Sequence, residues 1–268
     1  MNFDQLFERF KNTQVLIVGD VMLDTYWWGN VDRISPEAPV PVVALNRKEY
    51  RVGGAANVAL NTASLGANTA IISIIGQDQD GDQLIQLMEQ NGINTANIIR
   101  STNRITTNKI RIMGRNQQMM RLDVEMIDDI NDALENELLN AVENFIIKNK
   151  PSILIFEDYN KGVLTQNLIT AITKLCNQYQ VFTAVDPKKK NFLSYKDVTL
   201  FKPNLKEVKE GLNINVEQTS LERMQHIHHV LKEVLGHSIS LITLSEKGVF
   251  YQQDNKALII PTHIRNIA

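Results

Sequence analysis

Cysteine is nearly missing: Cys176 is the single one in 268 residues. One thiol cannot build an intramolecular disulfide framework, and its isolation fits a reducing cytoplasm. An excess of one charge sign is missing too. The 28 basic residues face 30 acidic ones, for a net charge of −2, so no global field attracts nucleic acid. Long hydrophobic runs are absent. Stretches such as Ile153–Phe156 and Ala257–Ile260 fall far short of the roughly 20 residues that cross a bilayer, so no membrane segment is expected. Nor is a signal peptide. Phe3, Leu6, Phe7 and Phe10 recur at helical spacing beside Asp4 and Glu8, the pattern of an amphipathic cap helix. No internal repeat or low-complexity stretch is visible. What remains is ordinary globular material, 43% hydrophobic and 22% charged, enough to bury a core without disulfide or metal staples.

Two periods alternate along the chain. Short apolar, β-rich runs occupy 15–19, 70–75, 152–156, 181–185, 198–201 and 240–244. Helical patterns fill 54–65, 81–91, 131–149, 165–178, 204–210 and 217–235. Continuous apolar strands alternating with helices predict an α/β fold, with a mostly parallel central sheet covered on both faces. Right-handed crossovers then set the strand C-termini along one edge, where such folds bind ligands. Residues 31–50 and 104–123 break this rhythm. They read as exposed antiparallel strands, and Pro36, Pro39 and Pro41 keep the first segment out of a sheet interior. The pair forms either a small projecting β lid or plain surface hairpins.

Several familiar motifs are absent. There is no G-x-x-x-x-G-K-[ST] phosphate loop and no G-x-G-x-x-G after the first strand. His226, His228 and His229 cluster in sequence, but a helix points them to different faces, which predicts a solvated helix and no metal site. Lys188, Lys189 and Lys190 read as a solvated loop.

Other residues carry chemistry. Asp20 and Asp24 of GDVMLD lie after the first strand. There they serve either as acceptors for sugar hydroxyls or as loop and cap residues. Gly53, Gly54 and Asn57 of GGAAN either bring a ligand close to the backbone at a helix start or simply permit tight packing. Lys109 and Arg111, two apart on a strand, share one face, with Arg115 nearby. They either hold an anionic substrate such as a sugar phosphate or guard an edge strand. Asn204 and Glu207 suit either an indirect, water-mediated Mg²⁺ site or a helix capping box. Thr243, Ser245 and Gly248 form a strand–turn–strand that can border a nucleotide.

GDVMLD, GGAAN, the projecting strands, DPK, KPNLKE and TLSEKG occur in this order along essentially the whole chain. Together they resemble the ribokinase (PfkB-type) family of sugar kinases. RISPEAPVPVV, TTNKIRIMGRNQQMMRLD and EDYNKG resemble, within it, the kinases of a heptose 7-phosphate. The resemblance implies one ribokinase-like kinase domain over 1–268, with lid strands within 31–50 and 104–123. It implies ATP-dependent phosphorylation of the sugar phosphate at its anomeric hydroxyl with Mg²⁺, and a homodimer paired through the lid. It implies sugar contacts from Asp24, Gly53, Gly54 and Asn57, with Asp20 beside them, and phosphate contacts from Lys109, Arg111 and Arg115. Lys188, Asn204 and Glu207 would serve ATP phosphates or Mg²⁺, and Thr243, Ser245 and Gly248 the nucleotide, although many relatives have Gly at the Ser245 position. Asp158 and Lys161 would approach the transferred phosphate. The family's G-A-G-D motif, which supplies the catalytic base and an anion hole, occurs nowhere in these residues. The resemblance implies that its aspartate lies beyond Ala268, so no catalytic base is identified among the residues at hand. The expectation is therefore a C-terminally incomplete kinase domain that is nearly inactive by itself. The alternatives are a kinase of another sugar or a non-catalytic sugar-phosphate-binding protein.

Overall fold

The computed structural model describes residues 2–114 and 117–262. Helix α1 (Phe3–Phe10) leads into β1 (Gln14–Gly19), then the long strands β2 (Val21–Ile34) and β3 (Pro41–Gly54). Next come α2 (Ala55–Ser64), β4 (Asn68–Ile72), β5 (Ile74–Gly76), α3 (Gln79–Gln90) and β6 (Ile99–Ser101). Strands β7 (Asn108–Gly114) and β8 (Gln117–Val124) precede α4 (Asp132–Asn149), β9 (Ile153–Glu157), α5 (Gln166–Gln178) and β10 (Phe182–Asp186). The described part ends with β11 (Leu200–Phe201), α6 (Leu205–Leu212), α7 (Leu221–Leu235), β12 (Ile239–Thr243), β13 (Val249–Gln253) and β14 (Lys256–Ile260).

The main sheet has the order β14-β13-β12-β11-β10-β9-β1-β4. It is parallel from β4 through β12 and antiparallel at β13 and β14. Period-two alternation along its strands feeds two separate cores. Leu16 and Val18 of β1 join the core against α4, α5, α6 and α7. Val15 and Ile17 point the other way, into the core made with α2, α3 and the roots of β2 and β3. A strand buried on both faces needs an unbroken apolar run, and QVLIVG supplies it.

The second sheet, β3-β2-β7-β8, is the lid region. It is larger than the sequence suggests. Residues 21–30, which read as a loop after the first strand, are the root of a 14-residue strand. Asp24 therefore sits inside β2. The reason is the run VMLDTY, whose Val21 and Leu23 are buried in the second core. The register gives the lid two unlike faces. Asp24, Arg51, Lys109 and Asp123 are cross-strand neighbours on one face, as are Tyr26, Glu49, Arg111 and Arg121. The opposite face carries Thr25, Tyr50, Ile110 and Leu122, then Trp27, Lys48, Ile112 and Met120.

One expectation fails within α7. His226 and His229 are exposed, but His228 is buried. Its Nδ1 lies 2.8 Å from Ser240 Oγ, and His237 Nε2 lies 2.7 Å from the same oxygen. Ser240 and His237 are fully buried. The helical period puts His228 one residue past Ile227 on the inward stripe, so it becomes a core residue with a hydroxyl partner. Among the described residues no group of His, Cys, Asp and Glu is placed to hold a metal by itself.

Burial, with the neighbouring His228, pushes the His237 pKa down from 6.5 to about 4. Unfolded His237 takes up a proton near pH 6.5 that the folded residue refuses, so its contribution to stability is lost as pH falls from about 6.5 toward 4. Wild type should therefore lose more stability than His237→Asn between pH 7 and 4.5. Urea titrations at both pH values test this, and equal losses would remove the assignment. Comparison with the variant cancels the titrating carboxylates.

Candidate active site

The C-terminal ends of β1, β9 and β10 place Asp20, Glu157 and Asp186 along one edge of the main sheet. Asp20 is 1% exposed. Its Oδ2 accepts the backbone N–H groups of Tyr159 (2.8 Å) and Lys161 (3.1 Å), and its Oδ1 that of Val163 (3.1 Å). Asp158 is also 1% exposed. It accepts from Asn160 N–H, Asn191 Nδ2 and the Tyr195 hydroxyl. The sequence reading leaves Asp20 open between sugar hydroxyls and a loop or cap role, and the resemblance puts Asp158 near the transferred phosphate. In the structure Asp20 organises the loop after β9, and Asp158 ties that loop to Asn191 and Tyr195, because a buried carboxylate must be saturated by donors. Burial, followed by the charge of Asp158, raises the Asp20 pKa to about 6.

Lys161 projects from this loop to Glu125 (2.8 Å). Glu125 also meets Lys109 of the lid (3.3 Å), and Lys109 reaches Asp123 (3.2 Å). Arg111 Nη1 donates to Asp24 Oδ1 at 2.6 Å, and its guanidinium lies over the Tyr26 ring. Lys109 and Arg111 thus share a face, as their spacing predicts, and each holds a carboxylate. Arg115 lies outside the described residues.

Gly53 and Gly54 end β3, and Ala55 opens α2. A Cβ on Gly53 would stand 2.5 Å from Asp24 Oδ2, and one on Gly54 would stand 2.4 Å from the Asp20 carbonyl. Gly54 also has φ +59°. The glycines let β3 approach β2 closely, so their immediate reason is this packing. Asn57, in the first turn of α2, is exposed.

At the other end of the edge, Asn204 caps α6. Its side chain accepts Glu207 N–H, and Glu207 Oε2 accepts Asn204 N–H at 2.8 Å, a complete capping box. Glu207 Oε1 accepts from Lys188 Nζ at 2.7 Å. Each Glu207 oxygen therefore accepts one donor, and each keeps a second lone pair that a water can use. Lys188 also lies over the Tyr159 ring. Lys189 and Lys190 are exposed, as a solvated loop predicts. Asn204, Thr243, Ser245 and Gly248 line a cleft of about 780 Å³. Ser245 has φ +58° and Gly248 φ +99°, both in the region that favours glycine. That explains why glycine is the easier residue at position 245.

Sequence reasoning missed Glu157 and Asp186. They are register partners on adjacent parallel strands. Asp186 accepts from Lys202 at 2.7 Å. Glu157 is 3% exposed, and its Oε2 has no hydrogen-bond partner among the described residues. Burial, then Asp186, raises its pKa to about 8 against the opposing pull of Lys202 and Lys188. The available signal was that both residues close apolar strands. An orphaned carboxylate oxygen beside a second carboxylate is a hard-oxygen donor set. It fits a Mg²⁺ that keeps most of its ligands from phosphate and water.

The raised Glu157 value has a stability consequence. Between pH 4.5 and about 8 the folded chain keeps a proton that the unfolded chain has released, so stability falls as pH rises through this window. Glu157→Gln removes the ionisation. It should gain on the order of 2 kcal/mol over wild type at pH 8.5 and nothing at pH 4.5. Denaturant titrations read the difference, and a pH-independent gap would contradict it.

Residues 12–267 match the family described as pfkB family carbohydrate kinase. The bifunctional protein HldE of Aliarcobacter butzleri is 39% identical over 259 residues, covering 96% of this chain and 53% of its own length. That of Helicobacter pylori (strain ATCC 700392 / 26695) is 35% identical over 254 residues, covering 95% and 54%. The chain therefore spans about half the length of these relatives. Among solved structures, the tetrameric inhibited form of phosphofructokinase-2 from Escherichia coli superposes with a TM-score of 0.74 at 15% identity, over 93% of this chain and 79% of that one. Arabidopsis thaliana ribokinase complexed with ribose and ATP gives 0.66 at 16%, over 93% and 78%. These structural matches show a shared ribokinase-like fold. Taken with the match over residues 12–267, they place the chain in the pfkB family of carbohydrate kinases.

Proposed function

We propose that this chain is the kinase part of an enzyme that phosphorylates D-glycero-β-D-manno-heptose 7-phosphate. The acceptor is the anomeric C1 hydroxyl, the donor is ATP, and the product is the 1,7-bisphosphate used for ADP-heptose and lipopolysaccharide core synthesis in the cytoplasm. The likeness to the HldE proteins supports this substrate. The observation that carries it is the lid's charged face, where Lys109 and Arg111 stand beside Asp24 at one end of the sheet edge. The 780 Å³ cleft stands at the other end.

In this reading Asp24, Gly53, Gly54 and Asn57 orient the sugar, and Lys109 and Arg111 take its 7-phosphate. Arg115, outside the described residues, belongs to the same expected set. Asn204, Thr243, Ser245 and Gly248 border the nucleotide. Lys188 brings positive charge toward the phosphoryl group in transit, while Asp20 and Asp158 hold the loop that carries Lys161 toward the lid cations. The C1 oxygen forms a bond to the γ-phosphorus as the bond to ADP breaks, and the hydroxyl proton leaves to a base. Glu157 and Asp186, with Glu207 through water, would hold Mg²⁺, which when bound supplies neutralisation of phosphate charge. Positioning and charge account for most of such a rate.

The lid's other face supports a homodimer. Met120 is 55% and Leu122 40% exposed on a sheet face shared with Ile110, Ile112 and Trp27, an apolar surface that needs a cover. Sedimentation at micromolar concentration should show a dimer, and Leu122→Asp should shift it to monomer. A wild-type monomer would count against the pairing.

Since G-A-G-D occurs nowhere in the sequence, binding is the informative readout for this chain. Heptose 7-phosphate should bind more tightly than fructose 6-phosphate or ribose in calorimetric competition. Lys109→Ala and Arg111→Ala should each weaken heptose 7-phosphate about 10- to 100-fold, as expected for a lost charge-assisted contact, with ATP binding unchanged. Unaltered sugar-phosphate affinity in both variants would remove the 7-phosphate assignment.

A further inference from the structure

Lys109 and Lys161 come from separate parts of the fold and meet on one atom. Lys109 stands in β7 of the lid. Lys161 stands in the loop after β9, where Asp20 Oδ2 accepts its backbone N–H and Arg104 Nη2 donates to its carbonyl. A second arm of Arg104 donates to the Asp128 carbonyl at 2.6 Å. Both ammonium groups converge on Oε2 of Glu125, Lys161 at 2.8 Å and Lys109 at 3.3 Å. The three side chains are only 15%, 17% and 23% exposed, so water screens them weakly.

The charges around that oxygen do not balance. Two ammonium groups face one carboxylate. Asp123 also touches Lys109, at 3.2 Å, but Arg121 already holds it through two hydrogen bonds. Burial pushes the Glu125 carboxyl up, and the two lysines more than offset this, holding it below its ordinary value. The lysines and the glutamate are also anchored differently. Lys109 is fixed in a strand paired on both sides, and the Lys161 backbone is clamped by Asp20 and Arg104. Glu125 lies just past the end of β8, outside regular structure, and is the partner free to swing away.

We propose that Glu125 is the built-in occupant of an anion subsite formed by Lys109 and Lys161, and that it sets the preference of this site for doubly charged groups. The inference rests on the reading above that the lid cations meet the phosphate of the sugar. An incoming phosphate dianion displaces one carboxylate and returns more charge to the two ammonium groups than it removes. A carboxylate returns only what it displaces, and a neutral hydroxyl returns less. Glu125 thus excludes neutral sugars and monoanions by competition rather than by shape. The same contact ties lid to body while no phosphate is bound.

Calorimetric titration of the chain at pH 8 with inorganic phosphate, fructose 6-phosphate, fructose and acetate tests this. Glu125→Gln should bind inorganic phosphate and fructose 6-phosphate roughly tenfold more tightly, the scale of one freed charge-assisted contact. It should also begin to bind acetate, while fructose binding stays unchanged. Adding Lys161→Met to Glu125→Gln should erase the gain. Lys161→Met alone should weaken phosphate binding about tenfold, and this serves as the test should Glu125→Gln fail to fold. Phosphate binding that is unchanged or weaker in a Glu125→Gln variant with wild-type thermal unfolding overturns the proposal. So does an unaffected Lys161→Met. Tighter inorganic phosphate in Glu125→Gln, with heptose 7-phosphate no better than ribose in wild type, would sink the heptose reading and leave this one standing. The reverse pattern would do the opposite.

Discussion

Asp20 joins four parts of the molecule. Its backbone N–H donates to the Glu157 carbonyl at the end of β9, and its own carbonyl accepts Ala55 N–H at the start of α2. Its carboxylate gathers three amides of the loop after β9. A buried carboxylate in this position is stable only with such a set of donors. The constraint therefore runs both ways: the loop shapes the pocket for Asp20, and Asp20 fixes where Lys161 and Tyr159 stand. Lys161 reaches toward the lid, and Tyr159 lies under Lys188. Much of the site's geometry is inherited from this one side chain.

From that hub a line of paired charges runs along the sheet edge. Asn204, Glu207 and Lys188 link the cleft to the ends of β9 and β10. Lys161, Glu125 and Lys109 continue it into the lid, and Arg111 with Asp24 completes it. Nearly every cation on this path holds an internal carboxylate. Such an arrangement keeps a strongly charged surface folded and soluble, and it makes the lysines available to an anion at the cost of exchanging one partner for another. Glu157 departs from this pattern. Its environment favours the neutral acid, which lowers repulsion against Asp186 where negative phosphate would have to approach.

The architecture is legible in the sequence because its signals are local. The unbroken apolar run of β1 and the alternation with helices report burial on two faces, and both are properties of short windows. The facing of Lys109 and Arg111 follows from strand period alone. Asp20 and Asp158 are hard to read from sequence because a carboxylate at a strand end looks the same whether it greets a ligand or a neighbouring loop. The surroundings of Asp20 depend on the distant segment 159–163, and those of Asp158 on Asn191 and Tyr195. Glu157 hides for a related reason. Its importance comes from register with Asp186, nearly thirty residues away, and from an oxygen left without a partner. His228 shows the limit of helical-wheel reasoning: the wheel separates faces, but it cannot say that Ser240 waits beneath one of them.

The length of β2 has a mechanical meaning. Fourteen residues of extended chain reach roughly 45 Å at the usual rise per residue. Its root is clamped in the second core by Val21 and Leu23, while its far end stands in solvent. It is a cantilever, built in at one end and loaded at the other. No loop interrupts it, so there is no hinge, and flexion must be taken up by the beam itself. Its compliance is concentrated where pairing with β3 shifts register, at Trp28/Gly29 and Val31/Arg33. Both lie beyond the level of Asp24 and Arg111. The tip is therefore the soft part, and the segment that carries Asp24, where the proposed sugar contacts stand, is the stiff part.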